Sequence, residues 1–196
     1  CMCEPVHETG GKLSEETVAW MKTQLEEAKK QGVTVIPVSH HNLLDESTLY
    51  PEECTIENTK EVTALLEAYG VPVYLSGHLH LQRIKKHTSN LNTPGGYGIR
   101  EIVTSPLPMA PCQYSILNWQ ADGSLSYHTK KVDIAGWAQR YGEEDENLLN
   151  FDAYADQFLV DVISKQACKA LQSASKDIKE EMARLYADMN RDYCSG

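Results

Sequence analysis

The chain has 196 residues, 41% of them hydrophobic and 23% charged, with a formal net charge of −10; such a chain can bury one sizeable core and is too apolar for a disordered acidic segment. The negative charge argues against a non-specific nucleic-acid surface or an anionic membrane surface, because long-range repulsion opposes both. No apolar run approaches the roughly 20 residues that a membrane-spanning helix needs, so no membrane span is expected.

The first residue is Cys1, not Met, and the expectation is that an upstream portion has been removed. Six cysteines, Cys1, Cys3, Cys54, Cys112, Cys168 and Cys194, lack both the paired spacing of a zinc ribbon and the density of a disulfide scaffold. They point to thiols in a reducing compartment, although a signal segment upstream would permit export.

The first predicted element is a helix after Leu13-Ser14-Glu15-Glu16, where Ser14 caps the free amides, Leu13 staples onto Val18 and the two acids meet the positive end of the dipole. Val18, Met21, Leu25 and Ala28 form its apolar stripe, and Gly32 ends it. Residues 33–39 (VTVIPVS) read as a buried strand, with Pro37 arguing for an edge or a strand end. The pattern repeats with a helix over 59–69, stopped by Gly70, and a strand over 71–76 (VPVYLS). Alternating helix and strand implies parallel neighbours joined by right-handed crossovers, with ligands gathering beyond the carboxyl ends of the strands.

After residue 80 the predicted elements change. Residues 81–85 suggest a strand edge, 90–98 a loop, and 99–104, 113–119 and 124–132 strands, the last two joined by an Ala-Asp-Gly hairpin turn. From Trp137 the chain reads as helical and acidic. Phe151, Tyr154, Phe158, Leu159 and Val162, then Ile178, Met182 and Leu185, have the spacing of packing stripes. Glu143 to Glu146 reads as a solvated loop.

Two histidine clusters sit where ligands are expected. His40 and His41 end one predicted strand, and His78 and His80, in Ser-Gly-His-Leu-His, follow the next. In an extended chain positions i and i+2 face the same way, so two imidazoles could reach one point or two neighbouring ions. Three or four imidazoles beyond adjacent strands make a metal site plausible. His7, His87 and His128 have no comparable setting and read as surface residues.

Gly-Lys-Leu-Ser-Glu-Glu, the helix containing Trp20, the strand into His40-His41 and the Ser-Gly-His-Leu-His segment together resemble the C-terminal half of calcineurin-like metallophosphoesterases, over about residues 10–135. The resemblance implies an α/β fold: the C-terminal portion of a four-layer αββα sandwich with a mixed sheet, occupying residues 1–135, followed by a helical C-terminal extension over 136–196. It implies that His40 and His78 are ligands of one metal ion and His80 of another, with His41 a catalytic residue that stands behind the ligands or faces the substrate, although which of the adjacent pair His40 and His41 binds metal stays open. The implied cofactors are divalent ions (Mn, Fe, Zn or Ni), two in the parent enzyme and at most one held weakly here. Asn42 stands where many relatives have proline.

The implied activity is hydrolysis of a phosphomonoester or phosphodiester, the phosphate ester being the parent's substrate. The family's Asp-x-His, Gly-Asp and Asn-His motifs are absent from the sequence. Two cations about 3.5–4 Å apart need a shared anionic bridge that neutral imidazoles cannot supply, so little turnover is expected of the isolated chain. The alternative is a non-catalytic interaction module with remnant histidines. A third reading, a single-zinc site, would need Asp45 or Glu46 as a further ligand. A half-sandwich would also expose an apolar face, which implies either a homodimer through that face or the sheet edge, or a sheet rearranged relative to the intact family.

Overall fold

A computed structural model of the chain describes residues 11–45, 54–87, 98–171 and 173–196. The predicted loop over 90–98 therefore lies outside the described residues except for its last position, and Cys1, Cys3, His7 and Glu46 lie outside them too. The chain divides into two compact units, one comprising residues up to Leu79 together with Arg83–Val103, the other His80–Gln82 together with Thr104–Gly196.

The first unit opens with α1 (Glu15–Gln31), whose start and stop are those its sequence specifies: the Ser14 side chain accepts from the Thr17 amide, and Gly32 ends the helix in the left-handed region at φ 67°, where a Cβ would be strained. Leu25 is buried on α1, with Leu13, Val18 and Met21 packed beside it. Next come α2 (Thr59–Ala68), β1 (Val73–Ser76), β2 (Arg83–Lys86) and β3 (Arg100–Val103). The sheet order is β1-β3-β2, with β1 and β3 parallel and β2 antiparallel to β3. Residues 33–39 do not complete a strand; they touch β1 through a single parallel bridge, Val38 to Leu75. The Leu75 amide donates to Pro37 O and the Ser39 amide to Leu75 O, both at 3.0 Å. Pro37 has no amide hydrogen to continue a ladder on the far side, and the segment stays at the sheet edge. The core of this unit gathers Leu43, Val62, Leu66, Val71, Tyr74 and Ile99, and each fully buried aliphatic side chain contributes roughly 1.5–3 kcal/mol.

The second unit contains β4 (Gln113–Trp119), β5 (Leu125–Lys131), α3 (Ile134–Tyr141), α4 (Glu146–Leu149), α5 (Phe151–Ala170) and α6 (Lys176–Ser195). β4 and β5 form a two-stranded antiparallel sheet, turned by Gly123 at φ 81°. Among the described residues the architecture is thus mixed α/β, with two small sheets and six helices. These elements do not by themselves make up the four-layer αββα sandwich. No helix of the described residues is long and apolar enough to cross a membrane.

The packing of α5 and α6 departs from the stripes expected. Leu159 is buried as expected, but its companions inside are Ala155 and Ile163, with Ala183 and Ala187 on α6. Phe158 is 53% exposed, and Ile178 and Leu185 are each 51% exposed. Ala155, Leu159 and Ile163 share the helical period with the aromatic stripe beside them; the small side chains let the two helices approach, and the bulky ones are left on the outer flank. Ala187→Leu is therefore expected to lower the unfolding free energy by about 1–3 kcal/mol through overpacking, whereas Leu185→Ala changes it by less than about 0.5 kcal/mol. Denaturant unfolding of the two variants checks the order.

Candidate functional site: a three-imidazole cluster

The site is built around a carboxylate. Glu101, on the central strand β3, is fully buried and stands in register with Tyr74 of β1. One oxygen accepts from the Leu43 amide and from the Ser76 hydroxyl, and the other from the Leu44 amide, each at 2.6 Å. Asn42 extends the network, donating its Nδ2 to Ser76 Oγ at 3.1 Å. Burying a carboxylate is strongly unfavourable unless strong donors replace water; here the donors come from the loop behind His41 and from the last residue of β1.

A second chain of bonds holds the same loop from its other side. The Tyr74 hydroxyl donates to Ser39 Oγ at 2.7 Å, and Ser39 Oγ donates to the His41 carbonyl at 2.5 Å. Burial pushes the Tyr74 phenol above its ordinary value; the Ser39 hydrogen bond partly opposes this, and the nearby Glu101 charge adds to it. The Gly77 amide donates to the His40 carbonyl at 3.1 Å, tying the two histidine segments together. Asn42 also uses its backbone: its amide donates to Cys54 O at 3.0 Å. A proline at this position could not make that bond.

These anchors bring His40, His41 and His78 into one cluster. Ring centroids lie 5.3 Å apart for His40 and His41, 4.9 Å for His40 and His78, and 4.5 Å for His41 and His78. His78 Nδ1 is 2.9 Å from His40 Nε2, so one ring donates and the other accepts. Behind His41 stands Gly11, where a Cβ would come within 3.0 Å of Nδ1; a larger residue would press on the imidazole. His40 is exposed, and the other two rings are half-buried.

His80 has a different place. Both His78 and His80 have φ 56°, in the left-handed region, and the Leu79 amide folds back onto Gly77 O at 2.7 Å. The backbone is not extended here, so the rule that i and i+2 share a face does not hold, and His80 belongs to the second unit. His87, expected as a bare surface residue, has its Nδ1 2.8 Å from Glu67 Oε1. Asp45 is exposed and borders a cavity with Lys60 and Lys86; Glu46 lies outside the described residues. Among the described residues no group of three or more His, Cys, Asp or Glu side chains is arranged to hold a metal ion.

Residues 133–196 match the family described as the C-terminal domain of cyclic nucleotide phosphodiesterase. No curated protein matches the chain. The matched domain begins at Asp133, whose side chain caps α3 by accepting from the Gly136 amide, and it runs through α6. This match corrects the resemblance drawn from the histidine motifs: the family found is not the calcineurin-like metallophosphoesterases. The function implied by that resemblance, a metal-dependent phosphoesterase fragment silenced by missing motifs, falls with it, since the match is to another family and the described residues lack a metal-binding group.

The missed residue is Glu101, and the alternation in Ile-Arg-Glu-Ile-Val gave no sign of its burial. Glu101→Gln places an amide donor against donors, and the unfolding free energy is expected to fall by about 2–4 kcal/mol. Denaturant titration measures this, and a change below about 0.5 kcal/mol would contradict the network. For Tyr74, a folded-state value raised above the unfolded one means that its contribution is complete below about pH 10 and is lost as pH rises through the folded value. Stability measured against pH in that alkaline range should fall less steeply in Tyr74→Phe than in the parent.

Proposed function

We propose that the chain is part of a phosphodiesterase-related hydrolase acting on a cyclic nucleotide, with the His40, His41 and His78 cluster contacting the phosphodiester. The observation that carries this reading is the match of residues 133–196 to the C-terminal domain of cyclic nucleotide phosphodiesterase. The cluster supports it chemically. Opening a cyclic phosphodiester forms a bond from a water oxygen to phosphorus and breaks one ring P–O bond; the water gives up a proton and the departing alkoxide takes one. Imidazole suits both transfers, because its ordinary pKa lies near neutrality.

In this reading His41 faces the phosphate and exchanges a proton with the attacking water or the leaving oxygen. The His40–His78 contact at 2.9 Å is a nitrogen-to-nitrogen hydrogen bond along which a proton can pass. The divalent ion expected from the sequence would take His40 and His78, which supply two nitrogens; further ligands are needed, and the described residues do not supply a group of three. No step above is routed through such an ion.

The test is an imidazole-resolved NMR titration with 3′,5′-cyclic AMP. Saturable shifts are expected at His40, His41 and His78, with His87 and His128 unmoved, and His41→Ala should lower cyclic nucleotide hydrolysis by about 100-fold or more. Absence of any shift at millimolar ligand, or unchanged hydrolysis in His41→Ala, would overturn the reading.

A further inference from the structure

The second unit has a groove of about 560 Å³, within the size range of small-ligand sites, roughly 300–1,000 Å³. Its walls come from two helical stripes. Phe158, Val162 and Gln166 follow one another at four-residue steps on α5, and Tyr186 and Asn190 do so on α6. His80 closes it. The wall is thus aromatic and aliphatic with three polar tips.

Those tips have hydrogen-bonding capacity left over. Gln166 and His80 are exposed, so the Gln166 amide and the His80 ring can exchange solvent for a ligand. Asn190 donates its Nδ2 to the Tyr186 carbonyl at 2.7 Å, which leaves its carbonyl oxygen for another donor. His80 is also held in place deliberately: its φ of 56° is an unfavourable conformation for a residue with a Cβ. The Cys194 thiol donates to its carbonyl at 3.2 Å, and the Gln82 amide donates to Tyr193 O at 2.9 Å. The last turn of α6 thereby fixes a three-residue excursion of the chain that delivers His80 to the groove.

We propose that this groove binds the purine base of a nucleotide, with Phe158 and Tyr186 against its flat face and Gln166, Asn190 and His80 on its polar edge. A planar heteroaromatic ring is the ligand that uses both features: aromatic side chains stack on any base, and Asn or Gln amides pair with the donor and acceptor edge of adenine. Among the described residues no lysine or arginine lines the groove, so it offers a phosphate no cation, and the neutral base is the end that enters. The identity of the ligand rests on the cyclic nucleotide reading above; the groove and its polar tips do not.

The experiment titrates adenosine, which carries no phosphate, into the full chain and follows His80 and Tyr186 by NMR. The expected result is saturable binding that weakens at least fivefold in Gln166→Leu and in Phe158→Ala, two exposed positions whose replacement leaves the fold intact. No binding of adenosine, or binding unchanged in Gln166→Leu, overturns the proposal; the latter result would mean a merely apolar groove. Adenosine failing here while 3′,5′-cyclic AMP still shifts His40, His41 and His78 sinks the groove and spares the hydrolase. Adenosine binding while cyclic AMP leaves those histidines unmoved supports the groove and removes the hydrolase.

Discussion

The first unit depends on one buried acid. Glu101 lies at the centre of a three-stranded sheet with no solvent to share its charge, so its oxygens must be filled by donors from the protein. Those donors are the amides of residues 43 and 44 and the hydroxyl of Ser76, which lie far apart in sequence. Meeting this one electrostatic requirement pins the segment after His41 to the end of β1. The imidazoles of His40, His41 and His78 come together as a consequence, and their own contacts are secondary.

The second unit is organised by size. Alanines between α5 and α6 let the helices close upon each other, and the displaced aromatic side chains form the walls of a groove instead of a core. Large apolar residues outside a packed interface are the usual mark of a binding surface. In this unit the same flank carries the polar side chains of Gln166, Asn190 and His80 beside the aromatic ones.

Much of the fold was legible in the sequence, because its local signals are short-range. Ser14 and Gly32 mark the ends of α1 by cap chemistry that needs no tertiary partner, and β4 was readable over its whole length as a β-rich run ending at a turn. The pair at 40 and 41 does lie near His78, although residues 33–39 meet β1 through one parallel bridge and not as the full strand expected. His80 was not legible: the left-handed backbone at 78 and 80 is a conformation that histidine seldom signals, and the His80 carbonyl finds its donor, the Cys194 thiol, over a hundred residues later. Glu101 was hidden for a similar reason, since a glutamate in a strand looks solvent-facing until its donors arrive from residues 43 and 44. The stripes on α5 and α6 were legible only in part: Leu159 is buried and Phe151 packs beside it, but alanine and phenylalanine can share a helical period, and the partner helix decides which faces inward.

The proposed hydrolase reading rests on the match of residues 133–196 to the C-terminal domain of cyclic nucleotide phosphodiesterase and, in the first unit, on the cluster of His40, His41 and His78. The imidazole cluster needs the 39–44 segment to be rigid, and that rigidity is traced to Glu101. Amide hydrogen exchange at Leu43 and Leu44 measures it directly. The account predicts that these two amides exchange only at the rate at which the whole unit opens; exchange at the rate of a free loop would contradict it.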